Sequence, residues 1–251
     1  MRSEQSQEKC RSSSRLTGTL FIVGVPIGHP DDLTIRALGT LRQANLVVTK
    51  TPSATRSLLT HHGIDAVLTT YNRVNAAEKA PVLLTRLKQG SHIALVSDCG
   101  MPTIYDPGRV LINAAAAAHI PIEVVPGATA VAAAVAIAGM DGNAFLFEGR
   151  CSGSLRELTR RLHSLRTEPR TLIFFPPAQA LRQILALVLR IFGNRPVVIA
   201  IDLTYQTEQI VRGRVKEVLT RDSFHDGMLQ VTLVVEGRRS TGRRREVRHQ
   251  G

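Results

Sequence analysis

From residue 19 to residue 138 the chain alternates short apolar runs with helix-period stretches, and this alternation constrains the fold more than any other feature. The runs Thr19-Leu20-Phe21-Ile22-Val23-Gly24-Val25, Leu46-Val47-Val48, His92-Ile93-Ala94-Leu95-Val96 and Pro121-Ile122-Glu123-Val124-Val125 are apolar at almost every position. A strand that is apolar on both faces needs cover on both, which is the pattern of a mostly parallel sheet between helix layers. A weaker strand falls at Val67-Leu68. Asp31 and Asp32 sit where a helix N-terminus wants acidic side chains, ahead of Leu33, Arg36, Ala37, Leu38 and Leu41. Further helices are predicted over residues 54–61, 77–88, 109–118 and 130–138, with Gly63 and Gly90 as stops.

After Gly139 the texture changes. Strands are predicted from Phe145 and over 171–175, 197–201, 208–212 and 229–235, with a basic helix at 155–165 and an apolar one at 181–192. The last two strands alternate in part, as antiparallel edge strands do. The pattern predicts two α/β domains, residues 17–140 and 141–237, divided near Gly139–Asn143. Residues 1–16 form a polar tail and residues 238–251 an arginine-rich one, both predicted to carry no fold of their own.

A chain of 251 residues, 43% hydrophobic, has enough apolar material for two such domains. Its net charge of +12 is unevenly placed: the first sixteen residues contribute +2, and six arginines against one glutamate in residues 238–251 contribute +5. Arginine-rich arms suit a phosphate backbone, although a solvated extension without a partner has the same composition. The three cysteines (Cys10, Cys99, Cys151) lack the spacing of a zinc site or a disulfide framework, and the histidines form no metal set in sequence, so no metal is expected. The opening is too polar for a secretory signal, and the apolar stretch 128–138 is too short to span a bilayer, so no membrane role and a cytoplasmic location are expected.

Three strand-to-helix loops are rich in glycine and proline: PIGHPDD, SDCGMPTIYDPG (residues 97–108) and PGAT. In α/β sheets such loops hold ligands at the carboxyl ends of the strands. None is a phosphate-binding P-loop or a dinucleotide fingerprint. The spacing alone indicates a ligand-binding α/β protein.

GTLFIVGVPIGHPDDLTIRAL, ALVSDCGMPTIYDPG, VVPGATA, FLFEG and EPRTLIFF occur in that order, and together they resemble the tetrapyrrole methylase superfamily. Within it the chain is most similar to the small-subunit rRNA ribose 2′-O-methyltransferase branch, over residues 18–237. The resemblance implies two α/β domains with S-adenosylmethionine in a cleft between them, and a homodimer. It implies that Pro26, Ser97, Asp98, Cys99, Gly100, Met101, Ile104 and Asp106 run along the cofactor. Ala128, Thr129 and Ala130 would line the same pocket, and Phe147 and Leu172 would close it. A sulfonium is a cation, so carboxylates such as Asp98 or Asp106 favour it; turn formation is the alternative role for both.

The acceptor side departs from the branch. Lys50-Thr51-Pro52-Ser53 replaces an acidic Asp-Thr-Arg segment, and Asn72-Arg73-Val74-Asn75-Ala76 keeps only Asn75 of a polar row. Phe175-Pro176-Pro177-Ala178-Gln179-Ala180 and Asp202-Leu203-Thr204-Tyr205 depart likewise. No catalytic residue is assigned. Asp32, Arg36 and Asn75 are the candidate substrate residues, with helix capping for Asp32 and a solvated helix face for Arg36 as their plain structural roles. The expected activity is methyl transfer to RNA of the small ribosomal subunit with an altered acceptor side. The alternatives are a tetrapyrrole or other small-molecule acceptor, or an inactive chain that binds S-adenosylmethionine or RNA. Removing residues 238–251 is expected to weaken RNA affinity and flatten its salt dependence, read from binding titrations at several ionic strengths. An unchanged slope in the shortened chain would exclude the tail from binding.

Overall fold

The computed structural model describes residues 17–221 and 230–238; the tail expected at 1–16, and all but Arg238 of the one expected at 238–251, lie outside the described residues. The chain divides into two compact units, before and after the junction of Thr129 and Ala130. The division falls ahead of the helix at 130–138, not after it as the sequence pattern suggested, because that helix packs against a strand of the second unit.

In the first unit, β1 (Leu20–Val23), β2 (Leu46–Thr49), β3 (Leu68–Thr70), β4 (Ile93–Val96) and β5 (Ile122–Val125) form one sheet in the order β3-β2-β4-β1-β5. All pairings are parallel. Four helices connect and cover it: α1 (Ile35–Gln43), α2 (Pro52–His61), α3 (Ala76–Lys88) and α4 (Arg109–Ala117). Successive strand residues serve opposite faces, which explains the uninterrupted apolar runs. Leu20, Ile22, Leu46, Val48, Ile93 and Leu95 pack with Leu83 and Leu87 of α3 and Leu111 and Ala115 of α4. Val23, Val47, Ala94 and Val96 pack with Ala37 and Leu41 of α1 and Leu59 of α2. Neighbouring strands β1 and β4 therefore send their following helices to opposite faces. Such a switch point opens a crevice at the carboxyl ends of the two strands.

The start of α1 differs from the sequence expectation. Asp31 and Asp32 lie in a short 3₁₀ turn over Pro30–Asp32, capped by the ring of His29. Thr34 caps α1 instead, its hydroxyl accepting from the Ala37 N–H at 3.1 Å. A threonine N-cap satisfies an amide that an acidic residue further upstream cannot reach.

In the second unit, β6 (Phe145–Arg150), β7 (Thr171–Phe175), β8 (Pro196–Ile201), β9 (Gln209–Arg214) and β10 (Val231–Val235) form a sheet in the order β6-β7-β10-β8-β9. Only β6 and β7 are parallel. The helices are α5 (Ala130–Ala138), α6 (Leu155–Ser164), α7 (Leu181–Phe192) and a short α8 (Val215–Leu219) that the sequence pattern did not reveal. Ser154 and Glu157 close a reciprocal capping box at the start of α6. One sheet face buries Phe174, Val197, Ile199, Leu233 and Val235 against Leu162, Leu185 and Val188; α5 packs on β10. The sequence suggested that the last strand is an edge. It is central instead: β10 pairs with both β7 and β8, and all five of its residues are buried. Leu233 has no exposed surface. Leu233→Ala should therefore cost about 3 kcal/mol of unfolding free energy in urea titrations, the price of a central cavity; a loss below about 1 kcal/mol would show that the strand repacks.

Candidate functional site

The loops that leave β1, β4 and β5 are fastened to one another through their main chains. The Val25 N–H donates to the Gly100 carbonyl at 3.0 Å, and the Gly100 N–H donates to the Pro26 carbonyl at 3.2 Å. This single antiparallel bridge ties the β1 loop to the β4 loop. The buried Ser97 hydroxyl reaches the carbonyls of Gly100 at 2.7 Å and Cys99 at 3.2 Å, and the Cys99 thiol reaches the Ile27 carbonyl at 3.6 Å. Gly100 has φ of +74°, the left-handed region that disfavours a side chain. The third loop joins by close approach: a methyl group at Gly24 would lie 2.6 Å from the Gly127 nitrogen and 2.5 Å from the Met101 sulfur. Glycines at 24 and 127 let two backbones touch.

Beyond Gly100 the β4 loop is held in a costly shape. Thr103 and Tyr105 have φ of +70° and +61°, and each non-glycine residue in that region costs about 1–2 kcal/mol. Ile104 and Tyr105 are exposed. The Arg73 guanidinium lies 5.4 Å from the centre of the Tyr105 ring, so the segment after β3 reaches this loop.

The two aspartates of the loop have different surroundings. Asp98 pairs with Lys50 at 3.1 Å and accepts from the Thr51 hydroxyl at 3.0 Å. Asp106 is half-buried, and its Oδ2 has no hydrogen-bond partner among the described residues. Burial, reinforced by the charge of Asp98 and opposed by Lys50 and Arg73, raises the Asp106 carboxyl to about 6. Lys50, Thr51 and Arg73 escaped the sequence reading as site residues. Lys50 and Thr51 follow β2, and only the strand order, which puts β2 beside β4, brings them to Asp98.

Other expected positions fall as follows. Pro26, Ala128 and Thr129 stand with the three joined loops, the Ala128 carbonyl 3.4 Å from where a Gly100 side chain would begin. Ala130, Phe147 and Leu172 belong to the second unit: Ala130 opens α5, Phe147 meets Phe175 edge-on at 4.9 Å, and Leu172 is fully buried. Arg36 donates to the Val124 carbonyl on β5 at 3.1 Å, so it is tied to the sheet and does not merely face solvent. Asn75 accepts from the Asn72 N–H at 2.8 Å, which builds the turn carrying Arg73. Asp32 is exposed in the 3₁₀ turn. Arg36 is bound at the β5 edge of the sheet and Asn75 follows β3 at the opposite edge.

The histidines contain one grouping hidden in the sequence. His61 Nε2 lies 2.9 Å from Asp31 Oδ1, and donor atoms of Asp31, His61 and His62 lie within 4.8 Å of one another, close enough for a metal ion to gather them. The His61 hydrogen bond holds the Asp31 carboxyl below its ordinary value. Cys151 is no nucleophile: burial raises its thiol to about 11. Among the described residues no helix is long and apolar enough to cross a membrane.

A doubly covered parallel sheet whose strand-end loops converge at a switch point, followed by a second mixed-sheet unit, defines a class of two-part α/β proteins. Residues 19–219 match the family described as Tetrapyrrole (Corrin/Porphyrin) Methylases. The chain is 36% identical over 221 residues to the ribosomal RNA small subunit methyltransferase I of Thermotoga maritima, covering 88% of this chain and 99% of that one. It is 38% identical over 223 residues to the protein of the same name from Xylella fastidiosa, covering 88% and 82%. Its fold is similar to the crystal structure of the methyltransferase CobJ, with a TM-score of 0.66 at 22% identity, over 89% of this chain and 97% of that one. The chain belongs to the tetrapyrrole methylase family. It is a methyltransferase that uses S-adenosylmethionine as methyl donor.

The Asp106 environment yields a pH-dependent prediction. The folded state holds this proton more tightly than the unfolded chain, whose carboxyl has its ordinary value of 3.8, so stability is lost as pH rises from about 4 through about 6. Asp106→Asn should raise the denaturant midpoint at about pH 8 and leave it unchanged near pH 4. An equal effect at both pH values would mean that the carboxyl does not titrate in this window.

Proposed function

We propose that the chain transfers the methyl group of S-adenosylmethionine to RNA of the small ribosomal subunit, with the three joined loops of the first unit holding the donor. The match over 88% of this chain and 99% of a relative named ribosomal RNA small subunit methyltransferase I carries this reading. The loops fit the donor. The Gly100 main chain is spent on joining the loops, and Asp106 keeps a buried carboxylate oxygen with no partner among the described residues for a cation to offset. Bound S-adenosylmethionine supplies a methyl group on a positively charged sulfur, ready for displacement.

The residues of this chain then have three tasks. Asp106, ionised above about pH 6, supplies negative charge to a cation, whereas Asp98 is already engaged by Lys50. Ser97, Cys99, Gly100 and Met101 hold the loop before the donor arrives, and Ile104 offers an exposed apolar contact. Ala128 and Thr129, which stand with these loops in the first unit, complete the donor's surroundings there in this reading. Methyl displacement needs chiefly alignment of acceptor oxygen, carbon and sulfur, and a rigid loop set supplies it. Asp32, Arg36 and Asn75 are proposed to face the acceptor, and two copies of the chain to assemble as a dimer in the cytoplasm.

The test offers radiolabelled S-adenosylmethionine together with small ribosomal subunits, protein-free RNA and a tetrapyrrole in parallel. Label in the RNA of the subunit is the expected outcome. Label in the tetrapyrrole would replace the acceptor, and donor binding without transfer to any of them would overturn the proposed activity.

A further inference from the structure

The second unit contains a concave surface that the donor loops do not use. A cavity of about 640 Å³ is lined by Arg166, Arg195, Arg214 and Arg238, together with Phe192 and Glu236. It lies at the end of the second sheet where β8 begins at Pro196 and β9 ends at Arg214.

One of the four arginines is consumed by the fold. The Arg195 guanidinium donates to the carbonyls of Arg166 at 2.7 Å, Phe192 at 3.2 Å and Glu236 at 3.3 Å, and it lies 4.9 Å from the centre of the Phe192 ring. The other three side chains are exposed. The fold uses their main chains: Arg238 N–H donates to the Glu168 carbonyl at 2.7 Å, Arg214 N–H to the Glu217 carboxylate at 3.0 Å, and the Arg166 carbonyl receives Arg195. Among the described residues no carboxylate lies within ion-pair distance of these three guanidinium groups. Glu236 is the one acid in the lining.

Four arginines against one glutamate line this concave wall, an excess of positive charge that favours an anion. Burial and the nearby Arg238 both depress the Arg195 pKa, burial more strongly. A planar guanidinium fork matches phosphate oxygens in pairs. Residues 239–251 add five more arginines, so the sequence that follows this cavity is itself cationic. An extended polyanion matches that charge better than one small phosphate.

We propose that this arginine-lined cavity is a phosphate-backbone site for the RNA acceptor, built wholly within the second unit. The inference rests on the RNA reading above and adds the surface that grips the strand. Phosphate contacts of this kind position a nucleic acid without reading its bases.

The experiment uses the full chain and a fluorescently labelled single-stranded RNA, with binding titrated at several salt concentrations. Arg166→Gln, Arg214→Gln and Arg238→Gln combined should weaken binding roughly tenfold or more and reduce the salt slope by about 2, at about 0.7 for each lost contact. A control loses the same net charge elsewhere, through the exposed Arg56→Gln, Arg86→Gln and Arg156→Gln, and should stay within about threefold of the parent. Should the combined cavity variant unfold, the three single substitutions report the same effect in smaller steps. Equal losses in cavity and control variants, or no loss in the cavity variant, would overturn the site while leaving RNA binding intact. A parent chain that fails to bind RNA at all would instead overturn the RNA reading itself.

Discussion

The contact on which the first unit depends is the main-chain bridge between Val25, Pro26 and Gly100. Parallel strands β1 and β4 end side by side, and their following helices leave for opposite faces, so their loops would otherwise diverge. Two hydrogen bonds and a left-handed glycine hold them together. The approach of Gly24 to Gly127 brings the third loop into the same construction. Main-chain bonds carry this fastening, reinforced by the Ser97 hydroxyl on the Gly100 carbonyl and the Cys99 thiol on the Ile27 carbonyl. The left-handed Thr103 and Tyr105 show that the remainder of the loop is also held away from its easiest conformations.

Charge is arranged with the same economy. A pair of acidic residues in one loop would repel a neighbouring anion and attract any cation. Here Lys50 and Thr51 occupy Asp98, and Asp106 is left with an oxygen unbonded among the described residues and a carboxyl that burial raises to about 6. The lysine stands where the resembling branch carries an acidic segment, and here it pairs with Asp98 of the β4 loop. In the second unit the balance is reversed, with arginines outnumbering the acid that shares their cavity.

Most elements of the first sheet were legible because two-sided burial writes itself as unbroken apolar runs; β4 follows directly from His92-Ile93-Ala94-Leu95-Val96. Where the reading failed, the deciding contact was distant in sequence or very short in range. Partial alternation suggested an edge for the last strand, but β7 and β8 enclose it from both sides. The five-residue α8 is too short to show a period. Asp31 and Asp32 resembled a helix start, yet Thr34 was the residue with an amide in reach. For the site, the glycine- and proline-rich loops were visible in the sequence, whereas Lys50 beside Asp98, Arg73 over Tyr105 and the grouping of Asp31 with His61 and His62 require the strand order to be known.

The central place of β10 has a consequence for biosynthesis. The ribosome delivers β6, β7, β8 and β9 before residues 231–235 exist, so a nascent second lobe carries two strands, β7 and β8, whose facing edges have nothing between them. Open edges of this kind invite pairing with other chains. The first lobe, whose strands are all complete by Val125, can be finished while translation continues. The second waits for its keystone, and its vulnerability to aggregation is greatest in the interval before that strand slides home.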